Sequence, residues 1–323
     1  MTRVLYVDTE GGYSYKIVGD AIKKYLPIVP DVEYKMANHK KTELRHTDNF
    51  LPDWCLTNTP LNNHSYIIKT HRNWFSVGWD LEGCYEWKRL RETDSRFFDV
   101  IATVDPVARD ELIKLGKKSI YLPLGFDPEV YRPMDVPEEY QSDVIIAGVM
   151  YSSRARWVKA LEPIAKQIKI RTINCRHWEA KIIGCKKFIT YYHNDLIPID
   201  ELVKYYCGAK IIIVGHRDFD PNNDMRETLH SKAIGRVFQE AACRRLVLSD
   251  NSRDNLADHF EIGKEIITFA DEEELRNKIM YFLEHDDERE QIALNGYCRT
   301  MSEHTYSHRL QYLCSEIEKL RGT

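Results

Sequence analysis

The chain predicts an α/β protein of two Rossmann-like halves, each a parallel sheet flanked by helices. Three observations carry that expectation. Short apolar runs alternate with stretches of helical apolar spacing; the alternation breaks at a proline-rich connector over residues 123–142; and beyond it the pattern starts again.

Residues 4–7 are an apolar run that opens the chain as a strand. Thr9-Glu10-Gly11-Gly12-Tyr13 makes a tight turn, and residues 17–26 have helical spacing that stops before Pro27. Residues 65–69 and 100–104 read as further buried strands. Pro106 begins a helix where its missing N–H leaves no hydrogen bond unmade, the helix ends near Gly116, and residues 119–122 form another strand. The connector holds Pro123, Pro128, Pro133 and Pro137 with several acids. In the second half residues 143–147 are a strand, Gly148 a turn and residues 156–168 a helix. Residues 169–173, 187–190, 210–214, 245–249 and 266–270 are strand-like. Asp271 caps a helix to Glu284, Asp286 or Asp287 caps another through Asn295-Gly296, and residues 305–320 are a last amphipathic helix. Two such halves leave a cleft between them, the default place for a ligand.

Composition bounds the function. The 323 residues are 43% apolar and 30% charged, which suits a globular protein of two ordinary domains. No run of eighteen apolar residues exists, so no membrane span is expected, and the first seven residues lack the order of a signal peptide. Net charge is −4, against a general polyanion binder, yet residues 154–187 carry ten Lys or Arg against two Glu. That stretch suits phosphates, and equally a solvated helix face. The eight cysteines form no C-x-x-C and sit near no metal-type histidine pair, which points to a reduced, cytoplasmic setting without zinc.

Four constellations have chemistry in them. Glu10-Gly11-Gly12 follows the first strand, where glycines let backbone approach a ligand. Gly148-Val149-Met150-Tyr151-Ser152-Ser153-Arg154 follows the first strand of the second half; its amides, hydroxyls and Arg154 suit a diphosphate. His216-Arg217 ends a buried strand, on the sheet edge where α/β proteins hold ligands. Arg236, Gln239 and Glu240 share one helical face, a guanidinium fork for phosphate beside a carboxylate for ribose hydroxyls. Asp218-Phe219-Asp220 has a D-x-D form but lies in a polar loop and reads as loop, not metal site. Four of the six tryptophans fall between Trp54 and Trp87, and His71 ends a first-half strand; Trp74 and Trp79 are acceptor-side candidates by their stacking faces.

The order of motifs is also a resemblance. Gly235-Arg236-Val237-Phe238-Gln239-Glu240-Ala241-Ala242-Cys243 is followed by an apolar run to Ser249-Asp250, then Phe260-Glu261-Ile262-Gly263-Lys264-Glu265-Ile266 and Glu303-His304-Thr305-Tyr306-Ser307-His308-Arg309. Upstream stand Phe98-Asp99-Val100-Ile101, Asp105-Pro106, and Tyr121-Leu122-Pro123-Leu124-Gly125-Phe126-Asp127-Pro128. Over roughly residues 98–315 this resembles the CgeB-like, spore-maturation glycosyltransferases. The resemblance implies a GT-B fold: an acceptor-side domain over residues 1–135, a nucleotide-sugar donor domain over 136–302, and a final helix over 303–323 that crosses back to the first domain. It implies a metal-independent, retaining transfer from a nucleoside-diphosphate sugar, UDP-glucose or another UDP-sugar favoured, with no cofactor.

It places Gly148, Arg154, His216, Arg217 and Arg236 at the donor phosphates. With the candidates read from the residues themselves, His71, Arg217 and Arg236 are the catalytic candidates; Glu10, Gly11, Gly12, Gly148, Ser153, Arg154, His216, Gln239 and Glu240 are the donor-binding ones. The chain departs from the pattern in two places: Gln239 stands four residues before the cysteine where a glutamate is expected, and Arg244 follows it where glycine is expected. The acceptor is open, a hydroxymethylated pyrimidine in phage DNA being one version. The competing readings are a non-catalytic nucleotide-sugar or glycan-binding protein and a nucleic-acid-binding protein without catalysis.

Overall fold

The computed structural model describes residues 1–8, 13–38, 50–58, 74–149, 152–173, 197–217 and 230–322. The chain divides into two compact units. The first takes Met1–Gly125, Pro221–Ala233 and Tyr306–Thr323; the second takes Phe126–Asp220 and Ile234–Thr305.

In the first unit β1 (Thr2–Asp8), β2 (Val32–Asn38), β3 (Trp54–Thr57), β4 (Phe75–Asp80), β5 (Val100–Thr103) and β6 (Lys118–Tyr121) form one parallel sheet, ordered β2-β1-β3-β4-β5-β6. The helices are α1 (Tyr13–Tyr25), α2 (Trp87–Glu92) and α3 (Pro106–Lys114). Val4 and Tyr6 pack with Ile22, Leu26 and Trp54 in one cluster; Leu5 and Val7 pack with Cys55, Ile101 and Leu112 in another. Burial of both faces explains why the strand is apolar throughout rather than alternating. Each fully buried side chain of this kind contributes roughly 1.5–3 kcal/mol. Asp105 caps α3 by accepting from the Val107 amide at 3.0 Å, with Pro106 at the first helical position.

The second unit repeats the plan. β7 (Ser142–Ala147), β8 (Ile170–Ile173), β9 (Ala209–Val214), β10 (Leu246–Asp250) and β11 (Ile267–Phe269) are parallel, in the order β11-β10-β9-β7-β8. Around them lie α4 (Ser152–Ala160), α5 (Ile199–Gly208), α6 (Val237–Ala241), α7 (Glu272–Glu284) and α8 (Asp286–Glu303). Ile145 and Ile212 face one apolar cluster, Val144, Ile146 and Ile211 the other. The chain leaves β7 for β8 on one side and returns to β9 on the other. The order therefore reverses between β7 and β9, and the carboxyl ends of those two strands make the crevice where such sheets bind ligands.

The last helix, α9 (Tyr306–Arg321), belongs to the first unit. Tyr306, Leu310, Leu313 and Ile317 form its apolar stripe and join the cluster of Ile22 and Leu26. The buried Arg309 donates through Nε to the carbonyls of Pro123 (3.0 Å) and Leu124 (3.3 Å), so this motif arginine holds the end of the first unit's sheet.

Several expectations change. Trp79 is a core residue, not an acceptor-side one: it is 1% exposed, its indole N–H donates to the Leu122 carbonyl at 3.1 Å, and its ring meets Tyr306 edge-on. Helix α4 stops at Ala160 because Pro163 directs the chain into a short 3-10 turn, Glu162–Ile164. Gly296 does not end a helix; α8 runs through it to Glu303, and a Cβ there would lie 2.3 Å from the Glu265 carbonyl oxygen, so glycine permits a close crossing. Strands β2, β3 and β4 come from sequence not read as strand, while the expected strands at 65–69 and 187–190 lie outside the described residues.

Candidate functional site

At the carboxyl end of β7 the chain turns at Gly148, whose φ is +107°. An added Cβ would lie 2.6 Å from Arg236 Nη2 and 3.0 Å from Arg154 Nη1, so two guanidinium groups converge on backbone that only glycine leaves open. Arg154, in the first turn of α4, donates to the Val149 carbonyl and, at 3.0 Å, to the Gly215 carbonyl. It thereby ties the ends of β7 and β9 together. Arg236 immediately precedes α6 and donates to the Ala147 carbonyl at 3.3 Å. The N-terminus of α4, the positive end of its dipole, follows Gly148 by four residues.

Glu240 completes the group. The residue is 4% exposed, and its Oε1 accepts from the Tyr206 hydroxyl at 3.2 Å. Its Oε2 is buried with no hydrogen-bond partner among the described residues. Burial pushes this carboxyl above the usual range, while the positive charges of Arg236 and Arg154 oppose the shift. The orphaned oxygen is an acceptor lacking a donor, a large desolvation burden unless a ligand hydroxyl supplies one. Gln239 is also buried, and its backbone carbonyl accepts from the Cys243 thiol. Arg244 has φ +53°, the left-handed region that suits glycine, and its side chain is exposed. Its replacement of the expected glycine therefore falls on local backbone strain, not on the crevice.

His216 and Arg217 follow β9. The His216 amide donates to Asp250 Oδ2 at 2.6 Å, and its Nδ1 lies 3.1 Å from Asp250 Oδ1. The Arg217 carbonyl accepts from Arg253 Nη2 at 2.6 Å. Gly148, Arg154, His216, Arg236 and Glu240 are thus gathered along the carboxyl ends of β7, β9 and β10. Asp250 and Tyr206 belong with them and were not singled out in the sequence. The one available signal was the 34-residue separation bridged by β9–β10 pairing, with Val214 opposite Ser249. Glu10, Gly11, Gly12, His71, the Ser153 side chain and Asp218-Phe219-Asp220 lie outside the described residues. Trp74 is half-buried and packs against the first unit's Leu5–Val7 cluster.

Two Rossmann-like units, with a last helix returning to the first, define a GT-B protein. The glycosyl transferase-like family matches residues 154–315, half of the sequence, and the chain belongs to that family. It is 26% identical over 215 residues to the spore protein CgeB of Bacillus subtilis (strain 168), which upholds the CgeB-like resemblance; the alignment spans 64% of this chain and 64% of that relative's length. Among solved structures, sucrose-phosphate synthase from Thermosynechococcus elongatus superposes with a TM-score of 0.68 at 10% identity, covering 100% of both chains. Anabaena HepE in complex with UDP-glucose does so with a TM-score of 0.67 at 11% identity, over 99% of this chain and 100% of that one. No described helix is long and apolar enough to cross a membrane.

Proposed function

We propose that the chain is a glycosyltransferase whose second unit holds a nucleoside-diphosphate sugar, UDP-linked by preference, at the β7–β9 crevice. The observation that carries this reading is the convergence of Arg154 and Arg236 on the open backbone of Gly148, with Glu240 Oε2 awaiting a donor beside them. In this reading the guanidinium groups and the α4 amides bind the diphosphate, and Glu240 accepts from ribose hydroxyls. As the glycosidic bond breaks, charge grows on the departing diphosphate, and the same donors stabilise it. Arg154 and Arg236 take the role a divalent metal fills in other sugar-nucleotide enzymes, so activity is expected to survive chelation. Glu240, not Gln239, is the ribose residue, because it is Glu240 that lies in the field of both arginines. His216 and Arg217 extend the donor face. Retention at the anomeric carbon, and an acceptor bound by the first unit, complete the proposal; a hydroxymethylated pyrimidine in DNA is one acceptor to assay. The structural likeness to HepE, crystallised with UDP-glucose, supports the choice of nucleotide.

Titration calorimetry with UDP tests the site. Arg236→Ala is expected to weaken UDP by roughly 10- to 100-fold, the worth of a charge-assisted hydrogen bond of about 1.5–3 kcal/mol. Unchanged affinity in the folded variant removes Arg236 from the site. UDP-glucose that binds but is neither hydrolysed nor transferred supports the non-catalytic reading.

A further inference from the structure

We propose that Asp250 is a positioning residue which locks the His216 imidazole with its hydrogen on Nδ1, so that Nε2 is the nitrogen offered to donor chemistry. This rests on the donor site proposed above and assigns the dyad a part in it.

The parallel register pairs Val214 with Ser249, so His216 and Asp250 leave β9 and β10 side by side at the carboxyl edge. Asp250 then grips His216 twice, at the backbone amide through Oδ2 and at ring Nδ1 through Oδ1. Both side chains are nearly inaccessible, at 3% and 6% exposure. Asp250 Oδ1 also accepts from the Ser252 amide at 3.1 Å and from the Ser252 hydroxyl. Burial raises the Asp250 carboxyl, but the hydrogen bond and charge of His216 and the Ser252 bonds outweigh it and hold the group well below the usual carboxylate range.

An ionised carboxylate only accepts hydrogen bonds, so the imidazole nitrogen facing it must carry the hydrogen. That fixes both the tautomer and the plane of the ring, the arrangement in which a carboxylate prepares a histidine to exchange a proton at its other nitrogen. The carbonyl of Gly215, the residue before His216, accepts from Arg154, a member of the proposed diphosphate site. A neutral ring would accept at Nε2, and a protonated one would donate there to a phosphate oxygen.

The alternative is that Asp250 merely caps the His216 backbone amide, a task an asparagine performs equally well. Nitrogen-15 NMR of imidazole-labelled protein separates the two. In alkaline buffer the wild type should show a protonated-type Nδ1 and a bare Nε2. In Asp250→Asn the side-chain carbonyl can keep the amide contact, while its NH₂ group turns Nδ1 into an acceptor; the two signals should exchange character. Ser252→Ala, which leaves the carboxylate in place, should keep the wild-type pattern. UDP affinity should fall about tenfold in Asp250→Asn, one charge-assisted hydrogen bond's worth.

A wild type with its hydrogen on Nε2 overturns the proposal without recourse to any variant, as does a folded Asp250→Asn with the pattern unmoved. A wild type that shows the Nδ1–H pattern but does not bind UDP leaves the dyad standing and removes the donor site instead.

Discussion

Replacing Gly148 by alanine tests the site from its backbone outward. At φ +107° the residue lies where L side chains are strained, at a cost of order 1–3 kcal/mol. For a unit of this size that corresponds to a melting point lower by about 2–12 °C. The new methyl would also sit 2.6 Å from Arg236 Nη2, closer than carbon and nitrogen can approach, and a tight 3.0 Å from Arg154 Nη1, so the Arg236 guanidinium must shift. Loss of one charge-assisted contact to a diphosphate weakens binding by roughly 10- to 100-fold. Gly263→Ala supplies the control. Its φ is +89°, yet no atom lies within 4 Å of the added carbon, so it should show the strain without the change in affinity. Urea unfolding and UDP calorimetry on the same samples read both quantities. If folded Gly148→Ala binds UDP like the wild type, or if Gly263→Ala weakens it as much, the reasoning from convergence on Gly148 is refuted.

The remaining predictions concern Glu240 and Trp79. Glu240 is expected to accept most strongly from ribose, and at both oxygens, when ionised, and its carboxyl is raised above the usual value. UDP affinity should therefore decline as pH falls through that raised range, and Glu240→Gln should abolish this part of the pH profile; identical profiles would exclude the role. The sign for folding is opposite. A raised acid adds stability in full below its unfolded value, and that contribution disappears as pH rises through the folded one, so Glu240→Gln should flatten stability between them in urea titrations. Trp79→Ala should cost about 3–5 kcal/mol of stability in the same urea titrations, since the residue fills the first unit's core. UDP affinity in the surviving folded fraction should not change; a stability loss under about 1 kcal/mol would restore Trp79 to the surface.

Much of the fold is legible in the sequence, and what is not has physical reasons. The strands of the second unit stood out because Ile145, Ile212 and their neighbours are apolar on both faces. β3 and β4 were hidden: Trp54-Cys55-Leu56-Thr57 is only four residues long, and Phe75–Asp80 contains a glycine and Trp79, which reads as a stacking residue. β2 lies at the sheet edge, where Val32–Asn38 mixes charge with apolar residues. At the site, glycine and arginine could be read from their types and their places after strands. Asp250 closes an apolar run in the sequence, but its partner does not show there; only the pairing of β9 with β10 brings it to His216. Tyr206 was likewise silent, a helix residue whose hydroxyl matters only because Glu240 lies opposite.

The membership of α9 in the first unit has a consequence for biosynthesis. That unit's hydrophobic interior includes Tyr306, Leu310, Leu313 and Ile317, and its sheet end is fastened by Arg309. During translation the opening six strands emerge long before these side chains exist. The amino-terminal half must wait as an unfinished layer with an uncovered oily face while the second unit, whose segments are all synthesised earlier, can already close. Premature termination shortly before Tyr306 would therefore unravel the beginning of the polypeptide rather than its end.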